Sequence, residues 1–237
     1  MPRTKHTLLT VTVLAAVLIV AVAVAISQAG GSSGGSSAGD DGAVRGAREA
    51  RALFRGVPEH GILLGDAHAP VTLTEFADLQ CPFCRDYTLA VLPALVRRYV
   101  RTGKVRIVFR NLSFIGPDSE RAARMAAAAG LQDRMWEFTD LIYRNQGAEN
   151  SGYVTDAYLR KVAEGTGVNT GTAFEAATGA AVGEQLDAAA RQARRFQIDS
   201  TPSFVLTRAG GQPRRLSPSA LSVDEFARPI EAALRAG

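Results

Sequence analysis

The only two cysteines of this 237-residue chain stand one helical turn apart, as Cys81-Pro82-Phe83-Cys84. Without a third cysteine there is no disulfide framework, so the fold must rest on a hydrophobic core. Two intervening residues let a single turn bring both sulfurs to one face. The pair can close its own disulfide, stay reduced, or share a metal with other ligands. Zinc normally takes four ligands, and only His60 and His68 lie nearby in the sequence. No metal is expected.

The pattern around the pair is strand, helix, strand. Val71 to Phe76 follows Ala69-Pro70 and is rich in β-branched and aromatic residues, a strand signal. Arg85 to Thr102 carries Leu89, Leu92, Leu95, Val96 and Tyr99 at helical spacing, with a kink expected at Pro93. Gly103 closes that helix, and Val105 to Phe109 reads as a second strand. The CxxC therefore sits at the first join of a βαβ unit. Helical segments follow at 119–130, 133–144, 155–165 and within 172–196. Strand signals return at Ser203–Thr207 and around Arg214–Leu216, across an Ala209-Gly210-Gly211 turn. A helix from Val223 to Arg235, with Ser222 and Asp224 as candidate caps and a bend at Pro229, completes the pattern.

At a strand-to-helix join, the Cys81 sulfur faces unpaired backbone N–H groups and the positive end of the helix. Both favour thiolate over thiol. Pro82 suits the first helical position, where the missing N–H costs nothing. Cys84, one turn deeper, should be less exposed. This asymmetry makes Cys81 the attacking, solvent-facing sulfur and Cys84 the one that resolves or re-forms an internal disulfide.

The first residues are organised differently. Arg3 and Lys5 precede an uncharged run from Leu8 to Ile26, which is long enough to cross a hydrocarbon core of about 30 Å. It exceeds the usual apolar run of a secretory signal, although Ala23-Val24-Ala25 offers a cleavage signal that would release the chain. The charge order leaves the short N-terminus cytoplasmic and the remainder exported. The expected organisation is a signal anchor at 1–28, a Gly/Ser-rich flexible linker at 29–56 and an extracytoplasmic domain at 57–237. The net charge of +4 is small and dispersed, so no nucleic-acid partner is expected.

The run from Leu64 to Cys84, LGDAHAPVTLTEFADLQCPFC, resembles the opening of the DsbA-like thiol–disulfide oxidoreductases, in their membrane-anchored or secreted bacterial branch. Ser200-Thr201-Pro202-Ser203-Phe204 is similar to that family's cis-proline loop. The resemblance extends from about Ile62 to the C-terminus. It implies an α/β, thioredoxin-like fold with an inserted helical subdomain at about 117–197. It implies that Thr201 and Pro202 lie against the cysteines and present backbone groups to an extended substrate, as in strand addition. It also makes Glu75 a buried acid that moves protons to and from the buried cysteine, with a minor part for Asp78 nearby. The family's best-known oxidants carry histidine where this chain has Phe83. An imidazolium would stabilise the thiolate and a phenyl ring cannot, so Pro82 and Phe83 leave the oxidising strength open.

The function implied is disulfide introduction into unfolded or partly folded exported proteins. Re-oxidation would come from a membrane partner of the DsbB or vitamin K epoxide reductase type, with no cofactor beyond the sulfurs. A reductase or isomerase of the same fold, and a redox-inert peptide-binding module, are the alternatives.

Overall fold

The computed structural model describes residues 44–236. The expected anchor at 1–28 and most of the expected linker lie outside them; among the described residues, no helix is long and apolar enough to cross a membrane.

The sheet forms around one strand that is covered on both faces. β3 (Val71–Ala77) is buried along nearly its whole length, as a continuous run of apolar and β-branched residues demands. It pairs in parallel with β4 (Val105–Asn111) and antiparallel with β5 (Ser203–Arg208). Two short strands, β1 (Glu59–His60) and β2 (Leu63–Leu64), extend the β4 edge, and β6 (Arg214–Leu216) extends the β5 edge. The spatial order is β1-β2-β4-β3-β5-β6. Gly65, at φ +100, permits the chain to pass over β4: a Cβ there would lie 2.7 Å from Val100 Cγ1.

The β3–β4 crossover differs in detail from the single kinked helix that periodicity predicts. Its helical part begins at Pro82 and divides into α2 (Pro82–Ala90), α3 (Leu92–Leu95) and a wide π turn, Val96–Val100. Pro93 has no N–H to continue the ladder, so the chain breaks at Val91 and restarts with Ala94 N–H bonded to Val91 O at 3.0 Å. The π turn closes where Arg101 N–H reaches Val96 O at 2.9 Å.

Between β4 and β5 lies a helical insertion, as expected: α4 (Pro117–Gly130), α5 (Met135–Arg144), α6 (Asp156–Thr166), α7 (Thr170–Ala177) and α8 (Ala180–Arg195). Thr155 and Asn169 cap α6 and α7 through their side chains. A terminal helix, α9 (Val223–Arg235), runs through Pro229 and packs on the same sheet face as α2.

One boundary needs correcting. Ala47–Phe54, placed within the linker at 29–56 although its composition also allows a short helix, forms a helix, α1, with Ala50 and Phe54 in the core. The Phe54 ring lies 6.3 Å from that of Trp136, which itself meets Phe109 at 5.8 Å. Burial of one phenylalanine, worth about 1.5–3 kcal/mol, is what ties this arginine-rich segment to the domain. Its helix spacing places the arginines outside and the apolar residues inside.

Candidate functional site

The β3–α2 join places Cys81 at the N-cap of α2, with Pro82 in the first turn. Cys81 N–H bonds to Asp78 O at 3.0 Å, and Cys81 O accepts the first helical bond from Arg85 at 3.1 Å. Both thiols are free. Contrary to the sequence expectation, Cys81 is not open to solvent: it is 5% exposed, and Cys84 is fully buried. The β5-side loop covers it, and the Cys81 thiol donates to Thr201 O at 3.4 Å.

The two sulfurs differ sharply in acidity. Cys81 is lowered from 9.0 to about 6, chiefly by a hydrogen bond from the Cys84 thiol, opposed by its own burial. The Thr201 side chain and the backbone N–H groups of Cys84 and Phe83 lower it further. The thiol's contact with Thr201 O favours the protonated form, but a sulfhydryl is a weak donor and the thiolate-stabilising groups outweigh it. Cys84 is pushed well above 9.0, first by burial, then by the neighbouring Cys81. Helix N-terminal N–H groups thus contribute as expected, though the second cysteine contributes more.

Thr201-Pro202 is cis. The loop brings both residues, half-buried, against Cys81 from far along the chain. Ser203 Oγ donates to Ser200 O at 2.8 Å and holds the loop where it enters β5.

Glu75 lies in the middle of β3, opposite Phe109 on one side and Phe204 on the other. It is 1% exposed and neither carboxyl oxygen has a protein partner. Burial alone raises it from 4.5 to about 8. Its charge is felt at Cys84, Tyr87 and Tyr143.

Asp78 does something different from Glu75. Its Oδ1 accepts from Gln80 N–H at 2.8 Å and from Ser119 Oγ at 2.7 Å. Its Oδ2 accepts from Phe114 N–H at 2.7 Å and Ile115 N–H at 3.1 Å. The carboxylate therefore staples the cysteine loop to the segment entering the helical insertion. The insertion holds the loop from its other side too. Gln146 Nε2 donates to Leu79 O at 3.0 Å and Cys81 O at 3.3 Å. Gln80 accepts from Asn150 N–H at 2.8 Å and donates to the Tyr153 hydroxyl at 2.9 Å. Gly147 is required where this loop crosses, since a Cβ there would meet the Tyr153 ring at 2.7 Å. Two rings face outward around the site, Phe83 at 62% and Phe114 at 53% exposure.

The Thioredoxin family model matches residues 58–211, well over half of the chain. The chain belongs to the thioredoxin family, as a DsbA-like member. It is 40% identical to the probable disulfide bond formation protein D of Bacillus cereus over 101 residues, 42% of this chain and 47% of that protein. It is 29% identical to disulfide bond formation protein D of Bacillus subtilis over 106 residues, 44% of this chain and 48% of that one. The chain thus spans about half the length of the curated relatives it matches. Its fold is shared with oxidised BdbD from Bacillus subtilis, at a TM-score of 0.65 and 22% identity, over 76% of this chain and 98% of that one. Chlamydia trachomatis DsbA superimposes with a TM-score of 0.62 at 21% identity, over 76% and 93%.

In this DsbA-like chain the structure brings Cys81, Cys84, Pro82, Glu75, Thr201 and Pro202 into one neighbourhood, with Phe83 at its rim. Gln80, Gln146, Ser119 and Phe114 are the residues that local sequence pattern does not reveal. Gln80 and Asp78 stand beside the cysteines, but their partners lie across the insertion. No period or spacing signals such a contact.

Proposed function

We propose that this protein is an extracytoplasmic thiol–disulfide oxidoreductase that introduces disulfides into exported, incompletely folded proteins through Cys81 and Cys84. The observation that carries the reading is the acidity difference between two adjacent thiols, about 6 for Cys81 and well above 9.0 for Cys84. A low-pKa sulfur is the better leaving group, and a stabilised thiolate favours the reduced form, which is the property of an oxidant. The names of the Bacillus relatives support the same chemistry.

The steps balance in electrons and protons. A substrate thiolate attacks Cys81 Sγ in the Cys81–Cys84 disulfide; the S–S bond breaks and Cys84 leaves as thiolate. Glu75, neutral below about pH 8, supplies the proton that the buried Cys84 requires. A second substrate thiolate then attacks the substrate sulfur of the mixed disulfide and expels Cys81 as thiolate. The substrate has lost two electrons and the protein has gained them. Re-oxidation by a membrane partner of the DsbB or vitamin K epoxide reductase type reverses the sequence, with Glu75 taking the Cys84 proton. Thr201 and Pro202, against Cys81, would hold the extended substrate, and exposed Phe83 and Phe114 offer it apolar contact. Thiolate stabilisation draws on the backbone N–H of Phe83 and not on its ring, which points to solvent, and a stabilised thiolate favours the oxidase over the reductase or isomerase.

A Cys84→Ala variant incubated with reduced, unfolded exported protein should accumulate mixed disulfides through Cys81. A chain that traps none would be a binding module. A Cys81–Cys84 reduction potential as low as thioredoxin's, about −270 mV, would make it a reductase.

A further inference from the structure

Four buried polar atoms, of Glu75 and of the helix that carries Cys84, have no protein partner: Glu75 Oε1 and Oε2, Tyr87 Oη and Thr88 Oγ1. All three residues are buried, Glu75 at 1%, Tyr87 at 0% and Thr88 at 3% exposure. Their placement follows from the fold. Cys84, Tyr87 and Thr88 are the buried residues of α2, so they share its inner face. Phe204 is the cross-strand partner of Glu75, and the Tyr87 ring stacks on Phe204 at 4.6 Å. Tyr87 therefore lies over the sheet face that carries Glu75, and the Glu75 charge acts on it.

Trp136 Nε1, whose ring meets Phe109 opposite Glu75 on β4, is also without a protein partner, but Trp136 belongs to α5, whereas Tyr87 shares α2 with Cys84. Tyr143, from α5, is engaged, donating to Asp78 O at 3.1 Å. α9 contributes apolar Phe226 and Ile230. Among the described residues, Glu75 has no ion pair. Buried polar groups are almost always hydrogen-bonded, and an internal water needs two to four polar partners. Here the Glu75 carboxyl and the hydroxyls of Tyr87 and Thr88 are the unpartnered groups that could offer them.

We propose that Tyr87 is a positioning residue for proton transfer: its hydroxyl, through one internal water also bound by Thr88, donates to the Glu75 carboxylate whenever Glu75 has given its proton to Cys84. The proton moves from Glu75 to the Cys84 thiolate, and the water, oriented by Tyr87, turns a hydrogen toward the carboxylate left behind. No proton leaves Tyr87. The proposal rests on the oxidoreductase reading for its purpose, but the hydrogen bond itself does not.

The test is Tyr87→Phe, which keeps the ring and its contacts with Phe204 and Phe226. Glu75 is titrated by its carboxyl carbon resonance in reduced, isotope-labelled protein, and the rate of Cys84-dependent resolution is followed against pH. A hydrogen bond to a charged group corresponds to about one to two pKa units. The Glu75 midpoint and the inflection of the rate profile should therefore rise by about one unit or more, with resolution at pH 7 slowed about tenfold. In a Glu75→Gln background, Tyr87→Phe should have no further effect on the rate. An unshifted Glu75 titration in folded Tyr87→Phe overturns the proposal, as does an equal slowing in the Glu75→Gln background. A wild-type chain that titrates as stated and shifts in Tyr87→Phe, yet exchanges no disulfides, upholds the hydrogen bond and overturns the oxidoreductase reading instead.

Discussion

Replacing Cys84 with alanine should raise the pKa of Cys81, because the Cys84 thiol is the largest influence holding it near 6. A hydrogen bond to a charged group is worth about 1.5–3 kcal/mol, and one pKa unit is about 1.4 kcal/mol, so the midpoint should move up by about one to two units. The Thr201 side chain and the N–H groups of Phe83 and Cys84 remain, so it should stay below the value of an ordinary cysteine. At pH 7 the thiolate fraction would fall from about nine-tenths to between about a half and a tenth. The assay is a pH titration of ultraviolet thiolate absorbance, checked by the rate of alkylation at Cys81. Cys84→Ser keeps a donor at the same position and should stay nearer the wild-type midpoint. An unshifted midpoint in Cys84→Ala would refute the reasoning and return the whole effect to the N-terminus of α2.

Glu75→Gln should stabilise the reduced protein at pH 7 while impairing exchange. The folded pKa of about 8 exceeds the ordinary carboxyl value of 4.5, so between those values the unfolded chain releases a proton that the folded one keeps. Stability therefore falls as pH rises through that window, by about 3 kcal/mol at pH 7. Urea unfolding should show the gain at pH 7 and not at pH 4; an equal effect at both would point to packing instead. Asp78→Ala should destabilise by about 3–5 kcal/mol, since it strands the N–H groups of Gln80, Phe114 and Ile115 and the Ser119 hydroxyl. A loss under about 1 kcal/mol in thermal unfolding would mean that water replaces the staple.

Much of the fold is legible locally. β3, β4 and β5 follow from β-branched and aromatic runs, and the insertion follows from helical periodicity between β4 and β5. Divisions inside helices are less so, because Pro93 and Gly179 break the chain at points where periodicity continues across them. Ala47–Phe54, with three alanines and two arginines among its eight residues, has helical composition but no local signal that it packs on the domain; Phe54 becomes informative only once Trp136 is beside it. In the site, CPFC and Thr201-Pro202 announce themselves by residue type. Gln80 and Gln146 do not, since a glutamine beside a cysteine reads as an ordinary polar residue until its partner across the insertion is known.

By itself the sequence placed the cysteine pair at the end of β3, with Cys81 at the start of a helix and Cys84 one turn deeper, because a strand followed by Pro and a helix is a local instruction. Only the tertiary structure decided how each group is charged. Protonation depends on burial and on what lies opposite, and these are set by contacts between distant segments. Thus Cys81 is covered by the Thr201 loop rather than open, its thiolate is held more by Cys84 than by the helix end, and Phe83 turns to solvent. Glu75 loses every protein partner, and Asp78, three residues away, gains four.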